Sequence, residues 1–110
     1  MASKTPEILP GTLDMLILKT LTRSPNHGYG IAQYIQRVSQ EALRIGEGSL
    51  YPALQRLLVN GWVRDEWGTS DSGRKVRIYS ITPAGRKQLT SEVQDFGNLI
   101  AGIARVMEAM

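Results

Sequence analysis

From position 89 onward the chain places apolar side chains at Leu89, Val93, Phe96, Ile100, Ile103, Met107 and Met110, at successive spacings of 4, 3, 4, 3, 4 and 3. A heptad stripe held over three repeats predicts a helix whose one greasy edge needs a second surface along its length. The start is marked by Thr82, a side-chain N-cap, followed by Pro83 at the first helical position. At 1.5 Å per residue, a helix over 83–110 is about 42 Å long, more than a small domain needs for its own core. Gly97 and Gly102 weaken it by about 1 kcal/mol each relative to alanine and allow close helix approach. The rod either folds back on its own domain or is covered by a second copy, and a symmetric dimer is the expected arrangement.

A first helix is expected over 12–23, with Thr12 as its cap and Asp14 in the first turn. Its apolar residues, Leu13, Met15, Leu16, Ile17, Leu18 and Leu21, fill more than one stripe, so two faces need burial. The surplus face is assigned to the dimer: Leu13, Leu16 and Ile17 are expected to meet Leu89, Val93, Phe96, Ile100, Ile103 and Met107 of the long helix across two chains. "SPNHGYG" reads as a turn. A second helix over about 29–40 has Ile31, Tyr34, Ile35 and Val38 facing the core.

The third helix, roughly 50–60, buries Leu50, Leu54, Leu57 and Leu58 and stops at Gly61. Two starts are open, one with Ser49 as cap and one with Tyr51 as cap before Pro52. Either way Tyr51, Pro52, Gln55 and Arg56 lie on the side away from the leucines. A phenol, an amide and a guanidinium at a helix N-terminus suit phosphates and base edges, whereas the plainer reading packs Tyr51 on the second helix and leaves the rest solvated.

Two alternating segments, 62–67 and 75–82, flank "GTSDSGR" and predict a hairpin. Arg74, Lys75 and Arg77 cluster near its tip without an acid among them. Trp62 and Trp67 could form a ligand platform, but tryptophan in a small sheet more often covers a core edge, and that is the expected role. The net charge of +3 is mild, so the placement of charge, more than its sum, points to a polyanionic partner.

The rest of the composition bounds the function. With 110 residues there is one domain's worth of chain; with no cysteine and a single histidine, His27, thiolate chemistry, Cys-based zinc and an imidazole cluster are excluded. No metal, cofactor or catalytic group is expected, and an enzyme is the weakest class. There is no apolar run near 18 residues, and "MASKTPEILPG" lacks the pattern of a signal peptide, so a cytoplasmic, non-membrane protein is expected.

Three helices, a basic hairpin and a long helix make a mainly α fold with a small β-hairpin: a winged helix-turn-helix over 1–82 and a dimerisation helix over 83–110 packed on the partner chain. "GTLDMLILKTL", "HGYGIAQYI", "GSLYPALQRLLVNGWV" and "GRKVRIYSITPAGRKQL" resemble the PadR family of bacterial transcriptional regulators over residues 10–89. The resemblance implies a homodimeric repressor of double-stranded DNA that responds to a small molecule. It puts Ser49, Tyr51, Pro52 and Gln55 at the major groove and Arg56 near phosphate, with Tyr29 and Gln33 flanking the backbone. Arg74, Lys75 and Arg77 would make the wing contacts. It is similar to the family's short branch, without a larger C-terminal domain. Some short members hold flat aromatic compounds between their long helices; here Phe96 is the rod's only aromatic residue and is read as part of the stripe.

On a pseudo-palindromic operator, four cations from each of two subunits, Arg56, Arg74, Lys75 and Arg77, predict a salt slope of roughly −7. The rival class is a winged-helix module that binds protein and leaves DNA alone.

Overall fold

A computed structural model of the chain describes residues 10–109; residues 1–9 and Met110, the last position of the heptad stripe, lie outside the described residues. The elements are α1 (Pro10–Leu21), β1 (Asn26–His27), α2 (Gly28–Val38), α3 (Glu47–Val59), β2 (Val63–Thr69), β3 (Lys75–Ile81) and α4 (Pro83–Glu108).

α1 is the hub and touches α2, α3 and α4. It begins two residues ahead of the expected cap, so Thr12 lies inside the helix. Leu13, Ile17, Leu18 and Leu21 are almost wholly buried in their own chain. The surplus apolar face is therefore absorbed internally, because the first turns of α4 dock on α1. This corrects the expected interface: Leu13, Ile17 and Leu89 belong to the core of one chain and cannot face a second, while Leu16 stays half-buried.

α2 is capped by His27, whose Nδ1 accepts the Gly30 N–H at 3.1 Å. Ile31 and Ile35 enter the core as expected, but Val38 ends the helix in solvent. α3 starts at Glu47, three residues early, behind Gly46. Pro52 thus stands inside the helix and not in its first turn, and its missing N–H leaves the Gly48 carbonyl without the usual donor. Both residues are exposed, so water can take the bond. The stop at Gly61 holds: with φ at +74°, it lets the Trp62 N–H reach the Leu57 carbonyl and its own N–H the Leu58 carbonyl, each at 3.0 Å.

β2 and β3 pair antiparallel from Val63 opposite Ile81 to Thr69 opposite Lys75. The connecting turn closes with the Ser70 N–H on the Arg74 carbonyl at 2.8 Å and Gly73 at φ +84°. The "SPNHGYG" turn also contains a strand that sequence patterning missed: Asn26 and His27 pair with Tyr79 and Ile78, giving the order β1-β3-β2. Two residues are too few to show alternation.

Thr82 ties these parts together. Its Oγ1 accepts the Gly85 N–H at 3.0 Å, capping α4 as expected, and donates to the Gly61 carbonyl at 2.7 Å. Gly85 lies so close to the Trp62 carbonyl that any Cβ would strike it.

Past Glu92 the rod runs clear of the body. Val93, Phe96, Leu99, Ile100, Ile103, Val106 and Met107 are exposed, between 38% and 77% of their surface. The principal extents, 56 × 38 × 21 Å, reflect this projecting arm. No helix among the described residues is long and apolar enough to cross a membrane.

Candidate nucleic-acid interface

The β2–β3 ribbon alternates, so Val63, Asp65, Trp67 and Thr69 share a face with Lys75, Arg77, Tyr79 and Ile81. At the base this face is core: Val63 and Tyr79 are buried, and burial pushes the Tyr79 phenol above its ordinary value. Toward the tip it turns cationic. The result is a surface that leaves the core and opens into a cleft of about 730 Å³ between the ribbon and the N-terminal ends of α2 and α3.

Of the residues expected to bind DNA, the cleft gathers Tyr29, Gln33, Tyr51, Arg74, Lys75 and Arg77. Tyr29 is exposed at the start of α2, and its hydroxyl accepts from Gln33 Nε2 at 3.0 Å, so the two side chains act as one polar unit. Tyr51 keeps half its surface in solvent while its ring lies over Gly28, where a Cβ would come within 3.1 Å of Cε1. The packed and the exposed readings of Tyr51 are both met in part: glycine at 28 lets the ring rest on α2 with its edge free.

Ser49, Pro52 and Gln55 are exposed on α3 but do not line the cleft; they form the adjoining outer face of that helix. Arg56 departs from expectation. Its Nη2 donates to Asp14 Oδ1 at 2.8 Å, and Asp14 is nearly buried on α1. The guanidinium clamps α3 to α1, because the row of Arg56 on α3 faces the α1 side of the helix as much as solvent. A second expected phosphate ligand, Arg77, also has an acid: its Nε and Nη2 reach Asp65 Oδ2 at 3.0 Å. That hydrogen bond raises the guanidinium pKa above its ordinary value. Of the three wing cations expected to bind, Arg74 and Lys75 have no salt bridge among the described residues.

Two further cleft residues stand outside the expected DNA contacts. Glu47 sits in the first turn of α3, where it satisfies the helix dipole and reduces the pull of that N-terminus on an anion. Trp67 was expected at a core edge; Trp62 takes that place, and Trp67 is 59% exposed on the wing. Its signal was the alternation Asp65, Trp67, Thr69, which sets it on the face of Lys75 and Arg77.

A family model described as "Transcriptional regulator PadR-like family" matches residues 17–91, well over half of the chain. An uncharacterized protein of Lysinibacillus sphaericus is 29% identical over 104 residues, which span 94% of this chain and 95% of that one. Two further relatives are longer than their matches, the chain spanning 23% of one and 52% of the other. A transcriptional regulator from Clostridium thermocellum superposes with a TM-score of 0.79 at 28% identity, covering 86% of this chain and 92% of its own. A PadR family transcriptional regulator from Eggerthella lenta does so at 0.76 and 28%, covering 91% and 85%.

Proposed function

The chain belongs to the PadR-like family of transcriptional regulators, and from that premise we propose that it acts as a homodimeric repressor that binds a pseudo-palindromic duplex in the cytoplasm. The observation that carries the reading is the cleft: Tyr29, Gln33 and Tyr51 from two helices converge with Arg74 and Lys75 of the wing on one face. Amphipathic aromatic and amide groups beside unpaired cations suit a surface of alternating phosphate and base edge.

In this reading Ser49, Tyr51, Pro52 and Gln55 meet the major groove, Tyr29 and Gln33 flank the backbone, and Arg74, Lys75 and Arg77 hold phosphates beside the wing. Residues 83–110 serve as the dimerisation helix, with Val93, Phe96, Ile100, Ile103 and Met107 facing the partner, and residues 1–82 form the DNA-binding part. The paired rods hold two recognition helices about 34 Å apart, one turn of duplex. A small molecule that altered the crossing of the rods would change that separation and release the operator.

The test is retention of duplex DNA, beginning with the DNA upstream of the protein's own gene, across a salt series. Affinity should fall steeply with salt. Retention that is absent at low salt would sink the reading in favour of a winged-helix module that binds protein.

A further inference from the structure

Trp67 is a large apolar side chain left in water on a part of the molecule that has no core to cover. Exposed indole surface is unfavourable, and in a small sheet it calls for a partner. Its surroundings are specific. Lys75 Nζ and Arg77 Cζ each lie 4.6 Å from the ring centroid. Trp67 stands directly opposite Arg77 in the ladder, and Lys75 follows two positions along the same face. Asp65, one step toward the base, anchors Arg77 at 3.0 Å.

The ring therefore works as a rail on which two flexible cations are already laid out. A cation resting on an aromatic face has lost part of its rotamer freedom before any ligand arrives, so less is lost on binding. The wall of a DNA groove has the matching pattern: apolar deoxyribose between charged phosphates.

We infer that Trp67 is itself a DNA contact, its indole lying against the sugars of the groove wall while Lys75 and Arg77, aligned on its ring, meet the flanking phosphates. This rests on the reading of the cleft as a DNA surface and adds to it a residue outside the cationic and helical contacts named above.

The chain has two tryptophans, so Trp62→Phe leaves Trp67 as the sole indole reporter. Acrylamide, a neutral quencher, measures its accessibility in the free protein and in the presence of a mixed-sequence duplex at low salt. The quenching constant is expected to fall by at least about half on binding, as the exposed indole is covered, and to recover when salt is raised. In the otherwise unaltered protein, Trp67→Ala should weaken duplex binding roughly tenfold while Trp67→Phe, which keeps a ring for the cations, loses less. Circular dichroism checks that each variant is folded. If the protein binds duplex but Trp67 stays as accessible as before and Trp67→Ala binds like the parent, the contact is overturned and the DNA reading stands. If the unaltered protein does not bind duplex at all, the DNA reading falls and this contact with it.

Discussion

Arg56 shows how a partner four tens of residues away outranks a position on a helical wheel. Spacing alone put it on the solvent row of α3; Asp14, 42 residues earlier, turns it into a clamp between helices. Arg56→Ala strands a nearly buried carboxylate, and because the guanidinium is partly exposed the loss should be about 1–2 kcal/mol in urea unfolding. The same variant should leave the salt slope of DNA binding unchanged, whereas Lys75→Ala should lower it; a drop with Arg56→Ala would restore the phosphate role. A second residue on α4 titrates through this junction. Glu92 Oε2 accepts from Gln88 at 3.1 Å, and its buried Oε1 has no partner. Burial, reinforced by the charges of Asp14 and Asp95, raises its carboxyl above the ordinary 4.5, against a smaller opposing effect of the Gln88 bond. The folded state thus holds a proton that the unfolded chain gives up more readily, and stability attributable to this group is greatest below pH 4.5 and is lost as pH rises through the raised value. Glu92→Gln should be more stable than the parent at neutral pH by a fraction of a kcal/mol, with the two urea midpoints converging at pH 4 or below.

Elements with strong local grammar were legible in advance. Thr82 and Pro83 set the start of α4 within the residue, and Gly61 set the end of α3, because each is dictated by backbone groups a few positions away. Gly61→Ala should cost about 1–2 kcal/mol, since its φ of +74° penalises a Cβ and the carbonyls of Leu57 and Leu58 depend on that turn. A urea midpoint equal to the parent's would contradict the cap. Elements fixed by long-range contact, or begun without a capping side chain, were not legible. β1 has only two residues and exists because β3 offers it an edge; α3 extends back to Glu47, ahead of the expected start near Leu50, through Gly48 and past Pro52, and its N-cap Gly46 has no side chain to mark it. In the candidate site the same division applies. The basic tip and the exposed row of α3 followed from pattern, while the ion pairs of Arg56 and Arg77 and the siting of Trp67 needed strand register and packing.

For the molecule as a whole, the surplus of apolar surface is displaced from where the sequence suggested. α1 satisfies its two faces internally, and what remains uncovered is the outer two thirds of the rod, where Leu99 and Val106 widen the stripe expected from the heptad. A second copy would cover this arm without touching the core, so association and folding should be separable by one substitution. Ile100 lies mid-stripe and is exposed, and Ile100→Glu places a charge at the centre of the proposed contact without opening a cavity. Sedimentation should then report a single chain that keeps its helical circular dichroism. The electrostatics change in step. Arg56 is paired with Asp14, and Arg77 keeps Asp65 as its counter-charge even where it touches a phosphate, so only Arg74 and Lys75 of each subunit release counterions: a dimer gives a salt slope of about −4, shallower than the −7 expected from the sequence. One Ile100→Glu chain carries half of those cations and should bind duplex weakly with a slope of about −2. If the variant remains dimeric, or is monomeric yet binds with the parent's affinity and slope, the rod is not what couples the two wings.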